Sequence, residues 1–234
     1  GDALIPGAAA ALTKLREAGT PFRLITNTTR QSKQLLIGKL SALGLEVAPD
    51  EVLTTAILAE QRLKELGAKP YLLVHPALEE DLPPPADDPD TVLIGDAGEH
   101  FTYPALNGAF RVLMNGGRLI ALGRNAYFMG DSGLELDAGP FVAALEYAAG
   151  VEAELLGKPS PAFFLAAAEA AGLSPGRTLM VGDQVASDVQ GAMDAGFQGA
   201  LVQTGAYRAG DEARAPGCHL YPSIAELVED CIAR

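Results

Sequence analysis

The chain has 234 residues, of which 48% are hydrophobic and 20% charged, a balance that buries a core and excludes a disordered chain. Its formal net charge of −13 and acidic pI exclude a surface built for nucleic acid or for an anionic membrane, where Lys and Arg dominate. A small anionic substrate stays compatible with this charge, because one lysine and a metal ion reverse the sign locally.

Two cysteines, Cys218 and Cys231, and three scattered histidines, His75, His100 and His219, form neither a disulfide framework nor a zinc spacing. Reduced thiols of this kind point to a cytoplasmic protein. No stretch approaches the ~18 apolar residues that a membrane span requires.

In chain order, residues 6–19 read as a helix opened by Pro6 and closed by Gly19, followed by a compact strand over 21–26. Residues 30–44 carry Leu35, Ile37, Leu40 and Leu43 on an amphipathic helix that ends at Gly44. A further helix is expected from Asp50 to Gly67. KPYLLVH, DTVLIGD, GRLIALG and EAELLG then read as strands, with helices over YPALNGAFRVLMNGG and GPFVAALEYAAG. EEDLPPPADDPD, between the first two of those strands, reads as an exposed loop. Residues 123–139 read as a β-hairpin turning at Gly130-Asp131-Ser132-Gly133, with Arg124, Tyr127, Phe128 and Asp131 available to a ligand. SPAFFLAAAEAAGL has Ser160 as N-cap and Pro161 at the first helical position; RTLMVGD is a strand, SDVQGAMDAG a helix and GALVQTG a strand. The last helix, SIAELVEDCIAR, begins with a Ser223/Glu226 capping box.

Short apolar runs alternating with helices imply α/β layers around a mostly parallel sheet. The simplest organisation is a core in two sequence segments, residues 1–68 and 157–234, with an α/β cap over 69–156 inserted between them.

In such a sheet, ligands gather at the carboxyl ends of strands. Three strand ends here carry useful chemistry: LITNTT with Thr26 and Asn27, LLGKPSP with Lys158, and VGDQVASD with Asp183 and Asp188. Each is ambiguous alone, since a Thr-Asn pair also caps turns, a lysine is commonly solvated and Gly-Asp is a common strand ending. Together they supply a hydroxyl and an ammonium for phosphoryl oxygens and a carboxylate pair for a hard cation. Mg²⁺ takes oxygen ligands and keeps several waters, so Asp183 at the strand tip is expected as the direct ligand and Asp188 as the outer one.

The ordered run ITN, GKPSP, VGDQVASD resembles the second, third and fourth motifs of the haloacid dehalogenase superfamily of phosphohydrolases. IGDAGEHFTYPALNGAFRVLM, LDAGPFVAALEYAAG, GKPSPAFF and the QTGAYRAGDE run place the resemblance nearest a branch acting on P–N compounds and pyrophosphate. The resemblance implies a Rossmann-like, doubly wound parallel core with an inserted α/β cap. It also implies a Mg²⁺-dependent phosphatase that works through an aspartyl-phosphate on a small phosphorylated substrate. Thr26 and Lys158 are then catalytic and bind the phosphoryl group, Asn27 frames it, and Asp183 and Asp188 serve the metal.

The family's nucleophile lies in a first motif, an apolar strand ending in Asp-x-(Asp or Ser)-Gly. Asp2 is followed by ALIPG and does not match it, so the nucleophile is expected upstream of Gly1 and the 234 residues alone are expected to lack turnover. Without that central strand, apolar sheet edges would favour self-association as a homo-oligomer. The alternative reading is an inactive relative that keeps the phosphate and metal pocket but lacks the nucleophile.

Overall fold

The computed structural model describes residues 3–130 and 133–233. The first elements are α1 (Ala8–Glu17), β1 (Leu24–Thr26), α2 (Lys33–Ala42), β2 (Val52–Thr54) and α3 (Thr55–Leu66). There follow β3 (Pro70–Leu73), β4 (Thr91–Ile94), α4 (Tyr103–Met114), β5 (Arg118–Ala121), β6 (Tyr127–Gly130), β7 (Gly133–Leu136), α5 (Ala138–Ala149) and β8 (Glu154–Leu155). The chain closes with α6 (Pro161–Ala170), β9 (Leu179–Gly182), a π-helical turn over Val185–Gln190 that runs into α7 (Gly191–Asp194), β10 (Gln198–Val202), β11 (His219–Tyr221) and α8 (Ile224–Ala233). β1 and β2 form a two-stranded sheet.

The chain divides into two compact units. The first holds the described residues up to Ile25, Leu36–Val52 and those from Lys158 onward. Its sheet runs β11-β10-β9, all parallel, with Gln198 opposite Leu179 and Ala200 opposite His219. Successive side chains of a strand point to opposite faces. Accordingly Leu179 and Val181 pack with Ala11 of α1 and Leu227 and Val228 of α8, whereas Met180 packs with Phe164, Ala168 and Ala192 on the other face. Helices on both faces explain why these strands read as continuous apolar runs.

The second unit holds Thr26–Leu35 and Leu53–Gly157. Its parallel sheet has the order β3-β4-β5-β8. Val92 and Ile94 of β4 face α4 and α5 through Ala109, Val112, Leu113, Val142 and Leu145. Leu93 faces the other way, onto Ala56, Ala59 and Leu63 of α3. That packing groups α3 with the second sheet, although the composition shift in the sequence falls later, near residue 69.

The doubly wound parallel α/β architecture matches the expectation. Several local readings are corrected. The helix expected from Asp50 starts at Thr55, because Val52, Leu53 and Thr54 form a fully buried strand and the Thr54 hydroxyl caps the helix by accepting from Ile57 N at 3.4 Å. The acidic proline-rich stretch is not wholly solvated: its first three residues end a 3₁₀ helix over Pro76–Asp81, Leu82 is buried, and the Asp81 carboxylate accepts from Lys33 N at 2.7 Å. Ser160 sits at the N-cap without a side-chain bond. In the Ser223/Glu226 box the Glu226 carboxylate reaches back to the Ser223 backbone, while the Ser223 hydroxyl donates to that carboxylate and accepts from Ala225 N in place of Glu226 N. The β6–β7 hairpin forms as read, with Gly130 opposite Gly133, while Asp131 and the rest of its turn lie outside the described residues, as does Asp2. Both cysteines are free, and among the described residues no helix is long and apolar enough to cross a membrane.

Candidate active site

In the first unit, β9 ends at Gly182 and delivers Asp183 to the carboxyl end of the sheet. The chain then enters the π-helical turn, whose wider winding brings Asp188 back over the strand end. A Cβ at Gly182 would overlap the Asp188 side chain, so only glycine lets the two segments approach this closely. Asp188 is 4% exposed and its carboxylate is fully engaged. Oδ1 meets Lys158 Nζ at 2.7 Å and the Ser187 hydroxyl at 3.3 Å, and Oδ2 accepts from Gln184 N at 3.3 Å. Lys158 enters on the segment after β8, and its side chain is 13% exposed. A carboxylate buried this deeply is stable only when paired and hydrogen-bonded, and both conditions hold here.

Asp183 is less enclosed. Its Oδ2 accepts from Ala206 N at 2.7 Å, which is its one hydrogen bond among the described residues, and Oδ1 is left available. Gly205 has φ +63°, and a Cβ there would overlap Asp183 Oδ2, so the loop after β10 clasps this carboxylate only with glycine at that position.

In the second unit, Thr26 and Asn27 sit at the end of β1. The Thr26 hydroxyl is 2.8 Å from the Thr28 hydroxyl and accepts from Thr28 N at 3.1 Å, a turn that shapes the start of the loop. Thus Lys158 and Asp188 are in direct contact, Asp183 shares the β9 end with Asp188, and Thr26 and Asn27 lie on the loop after β1.

Two residues whose importance the sequence reading missed meet here, Arg30 on that loop and Asp96 after β4. Arg30 donates through Nε to Asp96 Oδ2 at 2.5 Å and through Nη2 to Oδ1 at 3.3 Å, and its guanidinium lies 4.4 Å from the Phe128 ring centre. Asp96 is 4% exposed, and its own N–H donates to the Thr29 hydroxyl at 3.2 Å. The signal was present: LIGD at 93–96 repeats the apolar-strand-Gly-Asp ending of MVGD at 180–183. Asp137 caps α5 by accepting from Ala138 N at 2.6 Å, and burial pushes its carboxyl above the ordinary carboxylate range. Arg124, expected to be open to an anionic group, is bonded to Glu146 at 2.5 Å.

Among the described residues, no group of three or more His, Cys, Asp or Glu side chains is placed to hold a metal ion. A soft or transition metal would want such a cluster; Mg²⁺ uses one or two carboxylates with water and phosphate oxygens. The available Asp183 oxygen fits that demand, whereas Asp188 is committed to Lys158 and to Gln184 N.

The parts of this architecture have known counterparts. Residues 1–83 match the family model described as haloacid dehalogenase-like hydrolase, and residues 155–227 match a second model of the same kind, HAD-hydrolase-like. The chain is 44% identical over 212 residues to haloacid dehalogenase-like hydrolase domain-containing protein 2 of Bos taurus, covering 90% of this chain and 82% of that protein. It therefore belongs to the haloacid dehalogenase-like hydrolases. Within them its place is among the phosphatases. It is 40% identical over 215 residues to phospholysine phosphohistidine inorganic pyrophosphate phosphatase of Homo sapiens, covering 91% of this chain and 80% of that protein. The solved structure of 4-nitrophenylphosphatase from Thermotoga maritima aligns with a TM-score of 0.89 at 30% identity, over 98% of this chain and 91% of that one.

Proposed function

We propose that the protein is a Mg²⁺-dependent phosphatase that removes a phosphoryl group from a small substrate, a phosphate ester, P–N compound or pyrophosphate, through an aspartyl-phosphate. The observation that carries this reading is the buried Lys158–Asp188 pair at 2.7 Å beside the strand end that presents Asp183. A cation fixed in a poorly solvated position is suited to charge that builds on phosphoryl oxygens in the transition state.

Bound Mg²⁺ would neutralise phosphoryl charge and orient the group for attack. Asp183 would hold it through Oδ1, while Ala206 N fixes the other carboxylate oxygen. Asp188 would act from the outer shell by anchoring Lys158. Lys158 would grip the phosphoryl group, and Thr26 and Asn27 would bind and frame it, roles that rest on their match to the family motifs. The attacking carboxylate belongs to the family's first motif, which no described stretch matches. In the first step its oxygen forms a bond to phosphorus as the bond to the leaving group breaks. The leaving atom keeps the electron pair and takes a proton. Water then splits the acyl phosphate, returning the carboxylate and releasing inorganic phosphate.

The test is turnover of 4-nitrophenyl phosphate by the complete protein across a Mg²⁺ titration, with Asp183→Ala alongside. Metal-dependent turnover should vanish in the variant. A variant with normal turnover and normal metal response removes the assignment.

A further inference from the structure

Ala206 N clasps Asp183, yet Ala206 is exposed and its methyl group can form no bond that would hold this N–H in place. We infer that Tyr207, the next residue, is a positioning residue for the metal-binding carboxylate: it locks the loop after β10 so that Ala206 N stays on Asp183 Oδ2 and Oδ1 is left available. The inference rests on the phosphatase reading and its Mg²⁺, and it adds a residue outside the three motifs that supply Thr26, Lys158 and Asp183.

Three observations within the first unit carry it. The first is the hydroxyl. Tyr207 Oη accepts from Gln203 Nε2 at 3.2 Å and donates to Glu212 Oε2 at 2.8 Å. Gln203 N in turn donates to Tyr221 O at the end of β11 at 2.9 Å, and Glu212 lies in a 3₁₀ helix over Asp211–Arg214. One hydroxyl therefore ties both ends of the loop across the stretch that contains Ala206. Hydrogen bonds from its own backbone N–H and from Tyr207 hold the Glu212 carboxyl below its ordinary range, so the acceptor is charged and the bond is of the stronger kind. The second is the turn. Tyr207 N donates to Thr204 O at 3.3 Å, closing four residues whose inner pair is Gly205 and Ala206. Fixing the first and fourth residues of a turn sets where the N–H of its third residue points. The third is the ring, which packs against the cluster of Val185, Val189, Leu201 and Ala215. Val185 and Val189 belong to the π-helical turn that carries Asp188. A single aromatic side chain is thus seated against the element that brings in one carboxylate and bonded into the loop that clasps the other. Its hydroxyl bonds to neither, so its action passes through the loop.

The test is a calorimetric titration of MgCl₂ alone, without substrate, into the complete protein and its Tyr207→Phe, Glu212→Ala and Asp183→Ala variants. Phenylalanine keeps the ring on its cluster and removes only the hydroxyl. Tyr207→Phe and Glu212→Ala should each raise the Kd for Mg²⁺ by about threefold to tenfold, the worth of one or two hydrogen bonds. Their urea midpoints without metal should stay near that of the wild type. Saturating Mg²⁺ should bring the kcat of Tyr207→Phe on 4-nitrophenyl phosphate back to within about twofold of the wild type. The inference is overturned if either rise in Kd is below about threefold, or if saturating Mg²⁺ leaves that kcat low. Asp183→Ala separates the two readings. Mg²⁺ binding lost in Asp183→Ala but unmoved in Tyr207→Phe overturns the positioning role alone. Wild-type binding by Asp183→Ala, or no binding by the wild type, overturns the metal assignment on which that role rests.

Discussion

Asp188→Asn is the most informative single change. Lys158 and Asp188 are 13% and 6% exposed at their side chains and 2.7 Å apart. At an effective dielectric of about 20 the attraction across such a gap is about 6 kcal/mol, much of it offsetting the desolvation of both ions. Removing one member costs the other its buried counter-ion at 2.7 Å, for which about 3 kcal/mol is the expected loss of stability. The amide also keeps the shape, so the loss reports charge and not a cavity. Urea unfolding of the wild type, Asp188→Asn, Lys158→Met and the double variant forms a cycle that isolates the pair. The double variant should recover at least about half of the loss, because neither member of the pair then carries a charge. A loss under about 0.5 kcal/mol for Asp188→Asn, or strictly additive single effects, would refute the argument that the pair is a buried, mutually dependent unit. In turnover, both single variants should fall by about 10²-fold or more, as expected for a misplaced or missing charge at a transition state.

Three further outcomes are expected. Gly205→Ala forces a side chain into the left-handed region and into the Asp183 carboxylate, so it should cost about 1–2 kcal/mol and raise the Mg²⁺ concentration for half-maximal turnover; an unchanged metal titration would contradict the clasp. Asp137 is buried and its carboxyl lies above its ordinary value of 3.8, so folding binds that proton more tightly than the unfolded chain does. Its contribution is present below the ordinary value and is lost as pH rises through the folded one. Asp137→Asn, which keeps a capping oxygen and does not ionise, should therefore match the wild type in urea melts below about pH 4 and lose less stability than it as pH rises to 7, while Asp137→Ala should lose about 1 kcal/mol. Arg124→Ala should cost less than about 1 kcal/mol, because its bond to Glu146 is exposed, and should leave the KM for an anionic substrate unchanged.

What the sequence revealed followed from how locally each feature is encoded. The parallel layering was legible because buried strands such as residues 91–94 are apolar at every position and are separated by helical stretches. Asp183, Asp188 and Lys158 were legible because strand endings concentrate chemistry and their motifs are contiguous. The short strand Val52–Thr54 was not, since three residues running straight into a helix carry no periodicity of their own. Arg30 and Asp96 escaped because their meaning lies in a contact across 66 residues, which neither local string contains. The engagement of Asp188 with Lys158 was hidden for the same reason: spacing showed two carboxylates near each other, and the 30-residue separation concealed the cation that one of them holds.

Asp96 binds the segment after β1 twice, once through its backbone N–H to Thr29 and once through its carboxylate to Arg30. A single residue thus acts as a fulcrum between the Thr29 hydroxyl and the Arg30 guanidinium. A substitution that moves Arg30 would therefore tug on Thr29 at the other end of the lever.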